Sequence, residues 1–107
     1  MEVTISGTEI TVKFTEPTTN VNDTPLLDLD HTSVYTVINS EKTKVRDIPA
    51  SALTGGGAVS DVFIIETEPL TEIDVEVQAT ASDIVGNESA AISQVIRIDK
   101  LPPKSPA

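Results

Sequence analysis

Asp74 and Glu76 are the first residues to consider for catalysis, because these carboxylates stand two positions apart in a segment that alternates between apolar and polar residues. In a β-strand, side chains at this spacing project from the same face, about 6.7 Å apart. Such a distance suits the carboxylate pair of an inverting glycosidase. However, no aromatic residue that could stack on a sugar lies nearby in the sequence, and outward carboxylates are usual on a half-exposed strand. We therefore interpret the pair as part of a solvated face.

His31 is the only histidine, and the chain has no cysteine. A histidine-based triad would have to combine His31 with a serine or threonine, and the sequence has no nucleophile-elbow motif. Gly55, Gly56 and Gly57 lack the lysine and the strand-to-helix setting of a phosphate-binding loop, so we expect them only to make a loop flexible. The sequence thus predicts no catalytic residue, and we expect the protein not to be an enzyme.

Acidic loop residues could instead bind calcium. Asp23, Asp28, Asp30 and Asp83 could gather near one end of the fold, and carboxylate oxygens are the ligands that calcium requires. Their spacing does not match an EF-hand, and a calcium site needs six or more converging oxygens. Turn formation is the alternative role for Asp23. Calcium is therefore the only cofactor considered, with these four residues as candidate ligands.

The chain is strongly acidic, with 17 acidic and 7 basic residues and a formal net charge of −10. A surface this negative repels phosphate backbones and anionic lipid, so we expect neither nucleic acid nor a membrane as a partner. No apolar run approaches the length of a transmembrane helix, and the first residues lack the pattern of a signal peptide. A length of 107 residues fits one domain, whose core must be aliphatic because there are only two Phe, one Tyr and no Trp.

Residues 73–82 alternate strictly between apolar and polar side chains, which predicts a strand with one face in a core and the other in water. In this register Val77 faces the core and Thr80 faces water. Val77→Asp should therefore unfold the domain, whereas Thr80→Asp should be nearly silent. Gly86 and Asn87 follow the strand, and this pair suits a turn that needs a positive φ.

Six further strands are expected at residues 3–5, 9–15, 32–40, 43–48, 59–67 and 91–99. In the third strand of the chain the inward set is either Val34, Thr36 and Ile38 or Tyr35 and Val37. The sequence offers further apolar contacts for the core from Leu26, Leu27, Leu29, Ile92, Ile96 and Ile98. Seven short strands separated by turns, without a helical period, indicate an antiparallel β-sandwich.

The end of the chain differs from the rest in composition. Residues 100–107 contain three prolines, which predicts a stiff, extended linker or tail. We therefore expect residues 1–99 to form the sandwich domain, and a linker in this place implies a further domain in the parent protein.

Three segments carry a family resemblance, and the third of them is the last strand with the Pro102-Pro103 linker that follows it, as in tandem repeats. Residues 10–29, with Pro17 and the run Asn-Asp-Thr-Pro-Leu-Leu-Asp-Leu, are similar to the second strand and following loop of fibronectin type III domains. Residues 73–89 match the pattern that precedes the last strand of that family, through Asp83, Gly86, Asn87 and Ser89. The chain departs from the family pattern at Phe14 in place of the core tryptophan, Val75 in place of the corner tyrosine, and Asp23 in place of a loop glycine. The bacterial immunoglobulin-like repeats of adhesins, which share the second pattern, are the close rival.

The resemblance implies a seven-stranded antiparallel immunoglobulin-like β-sandwich of fibronectin type III topology. It also implies a non-catalytic structural, spacer or interaction module of a larger bacterial surface, secreted or phage protein. Its partners would be other domains of the same polypeptide or another protein, and an isolated domain would be monomeric. Its location would be extracellular, at the cell surface or in a virion. The alternative is a module that binds a ligand, such as a carbohydrate or calcium, through loops 17–30 and 49–58 or through a strand added to a sheet edge.

Overall fold

The computed structural model describes residues 1–106, which form seven β-strands. The strands are β1 (Glu2–Ser6), β2 (Glu9–Thr15), β3 (Leu29–Ile38), β4 (Glu41–Pro49), β5 (Ala58–Ile64), β6 (Glu72–Asp83) and β7 (Ile92–Asp99). All seven predicted strands are present, although β3 begins three residues before its predicted start and β5 ends three residues before its predicted end. Among these residues there is no helix long and apolar enough to cross a membrane.

The strands form two antiparallel sheets. One sheet has three strands in the order β1-β2-β5, and the other has four strands in the order β4-β3-β6-β7. Hairpins join β1 to β2, β3 to β4 and β6 to β7, and the remaining connections pass from one sheet to the other. The prediction of an all-β fold with antiparallel sheets is confirmed.

The core lies between the sheets and is aliphatic, as the composition requires. Val75 and Val77 of β6 are fully buried and belong to one apolar cluster with Ile10 and Val12 of β2. In β3 the first of the two possible phases is correct, because Val34 is fully buried in the same cluster. The other members of the cluster are Val3, Phe63, Ile96 and Ile98, and Phe14 packs against it.

Several predictions of burial or exposure are wrong, and each of these residues lies toward the same end of the sandwich. Thr80 and Ser82 were expected to face water, but both are buried, Thr80 being 6% exposed. A backbone bridge between Ser82 and Glu88 lays the β6–β7 loop over this outer face. Leu27 and Ile92 were expected to pack in the core, but both are exposed, whereas Leu26 and Leu29 are buried.

The strand registers divide the molecule into two ends. Pairing of Leu29 with Asp83, and of Ala79 with Ile92, places loops 16–28 and 84–91 at one end, which we call the loop pole. Loop 50–57 belongs to this pole through a hydrogen bond from Glu16 N to Gly57 O. Met1 lies there too, because Glu2 pairs with Lys13 near the end of β2.

The opposite end, which we call the tail pole, is where β7 finishes. Asp99 pairs with Glu72 at the start of β6, and residues 100–106 leave from this point without forming a strand. The molecule is 63 Å long, whereas its longest strand accounts for only about 40 Å. Met1 and the start of the tail at Lys100 therefore lie at opposite poles of the molecule.

Candidate binding cleft at the loop pole

A cleft of about 570 Å³ opens between the two sheets at the loop pole. This volume lies in the range of pockets that hold small ligands or short segments. Its apolar lining comes from Phe14, Leu26, Leu29, Ala79, Ala81 and Ile92. The cleft exists because the inward positions of β6 change from valine to alanine toward this pole, and alanine is too short to reach the facing sheet.

Among the polar residues that line the cleft, Thr32 has a buried hydroxyl without a partner among the described residues. It lies on β3 directly opposite Ala81 of β6, and it is 1% exposed. Its hydroxyl oxygen makes no hydrogen bond within residues 1–106. An unpaired buried hydroxyl costs about 1–3 kcal/mol, so the cleft holds a polar atom that a bound acceptor could satisfy.

Loop 16–28 forms one wall of the cleft and is shaped by its own polar residues. The Asn22 side chain accepts hydrogen bonds from the Thr24 amide and hydroxyl, and the Asp23 amide donates to Asn20 O. Asp23 has a φ of 66°, in the left-handed region that aspartate tolerates in turns. The Leu26 amide donates to Thr18 O, which turns the Leu26 side chain inward. The alternative role expected for Asp23, turn formation, is confirmed.

Loop 84–91 forms the opposite wall and is capped by Asp83. The Asp83 carboxylate accepts hydrogen bonds from the Asn87 side chain and amide and from the Val85 amide, each within 3.1 Å. These hydrogen bonds, led by that of the Asn87 side chain, lower the pKa of Asp83. Gly86 has a φ of 93°, which confirms the predicted positive-φ turn. Both oxygens of Asp83 are therefore engaged in shaping the rim.

Glu88 fixes this loop onto the outer face of the four-stranded sheet. Its Oε2 accepts hydrogen bonds from the Tyr35 hydroxyl at 2.6 Å and from the Thr80 hydroxyl at 2.7 Å. The hydrogen bond from Tyr35, followed by that from Thr80, lowers the pKa of Glu88, and the same contact raises the pKa of Tyr35. Lys42 Nζ lies 4.3 Å from the centre of the Tyr35 ring, a cation–π contact that partly covers it.

Glu16 ties loop 50–57 to the end of β2. Its buried carboxylate accepts hydrogen bonds from the Ser51 hydroxyl and from the amides of Ser51 and Gly57. Burial raises the pKa of Glu16, but the hydrogen bonds from Ser51 and Gly57 outweigh it, and the net shift is downward. A Cβ atom at Gly57 would lie 2.7 Å from Glu16 Oε1, and one at Gly55 would lie 1.9 Å from Pro17 O. These two glycines allow close backbone approach, a role that the flexible-loop prediction did not include.

The four calcium candidates lie at the loop pole but are used in different ways. Asp83 caps its own loop, Asp30 accepts a hydrogen bond from His31 Nδ1 at 2.7 Å, and the Asp28 carbonyl accepts one from the Ile84 amide. Across residues 1–106 there is no group of three or more His, Asp or Glu side chains placed to hold a metal ion. The geometry therefore adds no support to the calcium prediction.

The other chemical candidates are held in polar contacts that do not resemble a catalytic site. Ser33 is fully buried and donates its hydrogen bond to Asp47 at 2.6 Å, while His31 Nε2 lies 3.7 Å from the same carboxylate. A triad needs the serine bonded to the histidine, and here both residues converge on the aspartate instead. Asp74 is exposed and accepts a hydrogen bond from Arg97 at 3.0 Å, as expected for a solvated strand face.

Only some of the residues that shape the cleft could be identified from the sequence. Phe14, Leu26 and Leu29 were identified as apolar core residues, and Asp83 was identified through its turn motif. Glu16, Thr32 and Glu88 were not singled out, since each is one polar residue in a polar stretch and its partners are distant in sequence. Comparison of the chain with protein-family models, with curated proteins and with solved structures found no match in any of the three.

Proposed function

We propose that this chain is a non-catalytic module that spaces, positions or docks other domains within a larger protein. The observation that carries the proposal is that the chain enters at the loop pole and leaves at the tail pole of an elongated molecule 63 Å long. Modules with this property can be joined head to tail without doubling back. The sequence resemblance to fibronectin type III domains supports a parent among bacterial surface, secreted or phage proteins, which is part of this proposal.

The strand order supports fibronectin type III topology over the constant-type immunoglobulin arrangement. In the constant type, the fourth strand lies in the sheet that contains the first, second and fifth strands. Here β4 pairs with β3 in the four-stranded sheet, the placement expected of a fibronectin type III domain. The inward-pointing Asp61 on edge strand β5, 2.9 Å from Arg46 of β4, is a device that discourages pairing with strands of other chains. A module that works in series needs such protection.

A tandem of two copies joined through residues 100–107 tests the spacer proposal. Small-angle X-ray scattering should give a maximum dimension close to twice the 63 Å of one copy, and neither copy should melt below the temperature of the single module. A compact tandem, or two copies that unfold each other, would contradict the proposal. The sequence of the parent gene provides an independent check, since tandem repeats or a neighbouring catalytic domain would support it.

The cleft favours a second candidate function, which is ligand binding by the loops of the loop pole. A mainly apolar cleft of this size with one unpaired buried hydroxyl has the general form of a small-ligand site. Thermal denaturation with added calcium, with a chelator and with a panel of glycans would test it. A melting temperature that rises with one of these ligands would favour the ligand-binding function over the spacer function. An unchanged melting temperature would favour the spacer function.

A further inference from the structure

The cleft at the loop pole has a specific combination of features. Most of its lining surface is apolar, its buried Thr32 hydroxyl has no partner, and the acidic residues Asp83 and Glu88 are among the residues that line it. A fitting occupant is therefore apolar, brings a hydrogen-bond acceptor, brings no donor that would remain unpaired inside, and carries a positive charge toward these acidic residues.

The tail of this chain, residues 101–106, has the features that this occupant needs. Leu101, Pro102 and Pro103 are apolar, and each proline supplies a carbonyl acceptor without an N–H group. Lys104 follows directly and carries the positive charge. Residues 101–106 are exposed, and a proline-rich segment is already extended, so it loses little conformational entropy when it binds.

We propose that this cleft is a docking site for residues 101–106 of a second copy of the chain. In this arrangement the Leu-Pro-Pro segment lies against Phe14 and Ile92, a prolyl carbonyl accepts the hydrogen bond of Thr32, and Lys104 faces the acidic residues of the cleft. The inference rests on the proposed spacer function, because it supplies the contact through which one module would orient the next.

A chain cannot place this segment in its own cleft. The tail is anchored at the tail pole, where the Lys100 amide donates to Thr71 O and the Lys100 side chain donates to Thr67 O. Six residues in an extended proline-rich conformation span about 19 Å. The nine residues of β6 between Glu72 and Ala81 span about 30 Å, so the tail falls short of Thr32 and the occupant must come from another copy.

The two poles are also arranged for this contact. Met1 and Phe14 line a shallow depression beside the cleft, so a module joined ahead of Met1 would deliver its tail to the loop pole. Covalent linkage through a short linker gives an effective concentration in the millimolar range. A dissociation constant of about 1 mM between separate copies would therefore suffice within a tandem and would leave an isolated module monomeric at micromolar concentration.

The test is a titration of the ¹⁵N-labelled full chain with a blocked synthetic peptide of residues 101–106, followed by NMR chemical shifts. We expect the amide signals of Thr32, Ala81 and Ile92 to move in a saturable manner, while that of Val95 on the outer face stays in place. Absence of movement at these cleft positions up to about 5 mM peptide would overturn the proposal.

Variants of the cleft sharpen the test. Thr32→Val should weaken peptide binding about fivefold and at the same time raise the melting temperature of the free protein, because it removes an unpaired buried hydroxyl. Ile92→Ser should also weaken binding about fivefold. Val95→Ser is the matched control, since Val95 is 62% exposed on the same strand and lies outside the cleft. Equal peptide affinity for Thr32→Val and the parent protein would contradict the proposal.

Variants of the peptide separate its two chemical requirements. Lys104→Glu in the peptide should weaken binding about threefold at low salt and less at high salt. Replacement of Pro102 and Pro103 by alanine should weaken it further, because the new N–H groups would be buried without partners. Equal binding by either altered peptide would overturn the assigned occupant. If the peptide does not bind but the tandem is extended and both copies fold independently, the docking proposal is wrong and the spacer proposal is still supported.

Discussion

The two halves of β6 fill the space around them in opposite ways. Toward the tail pole, Val75 and Val77 are fully buried between the sheets, and Asp74 on the outer face is exposed. Toward the loop pole, the inward residues are Ala79 and Ala81, which line the cleft. There the outer face, with Thr80, is covered instead.

The difference shows that one strand can be stabilised by two kinds of interaction. Each buried methylene group contributes about 0.8 kcal/mol, so the valine half depends on apolar volume. The alanine half gives up part of that volume and gains hydrogen bonds to carboxylates instead, from the buried Thr80 hydroxyl to Glu88 and from loop amides to Asp83. The first half should respond mainly to changes of size and charge in the core, and the second to changes in the polar network and in pH.

The largest expected effect is at the centre of the valine half. Val77→Asp would bury an unpaired carboxylate in a fully occupied core and should cost at least about 4 kcal/mol, enough to unfold the module. Circular dichroism and urea denaturation would measure it. Val62→Asp, at an exposed position of β5, should change stability little. Similar melting temperatures for the two variants would show that the assigned inner face is wrong.

The next effect concerns the polar network of the loop pole. Glu16→Gln would replace a carboxylate that accepts three hydrogen bonds with an amide whose own N–H group would face some of these donors. The substitution should lower the free energy of unfolding by about 2 kcal/mol at neutral pH. Urea denaturation at pH 7 measures this loss. Glu9→Gln, at an exposed position at the start of β2, is the control and should be close to neutral.

The same residue predicts a pH dependence. The pKa of Glu16 is lowered in the folded protein, so its contribution to stability is complete above the pKa of an unfolded glutamate, about 4.3, and is lost as the pH falls through the folded value. Glu88 and Asp83, whose pKa values are lowered too, add to this loss. Melting temperature measured against pH should fall on acidification, and less steeply in Glu16→Gln. Parallel curves for variant and parent would contradict the assigned role of Glu16.

A smaller effect distinguishes the outer faces of the two halves. Thr80→Asp would break the hydrogen bond to Glu88 and place a second carboxylate beside it, which should cost about 1–2 kcal/mol. Thr4→Asp, on an exposed face of β1, should be nearly silent. Thermal melts of both variants at neutral pH measure the difference. Equal melting temperatures would restore the expectation, drawn from alternation alone, that Thr80 faces water.

Enlarging an inward side chain should change stability in opposite directions in the two halves of β6. Ala81→Val adds apolar volume to the cleft and should raise stability by up to about 1 kcal/mol. Val77→Leu adds volume to a filled core and should lower stability by about 1–3 kcal/mol. Urea denaturation of the two variants measures both changes. A loss of stability in Ala81→Val would mean that the alanine half is already closely packed.

Local patterns in the sequence determined the strands, the aliphatic core and the turn chemistry of this protein. The alternation from Ile73 to Ala79 specifies an inner and an outer face, because successive side chains of a strand must point to opposite sides. Asp83, Gly86 and Asn87 specify a capped turn for equally local reasons, since the carboxylate bonds to residues no more than four positions away.

Only the tertiary structure decided what covers each face. Thr80 is buried because Glu88 and Tyr35 meet over it, and Glu16 is held by Ser51, which is 35 residues away. The cleft likewise depends on which residues of β2, β3 and β7 stand opposite Ala79 and Ala81. Alternation fixes the direction of a side chain relative to its own strand, whereas burial depends on groups that other parts of the chain bring to it.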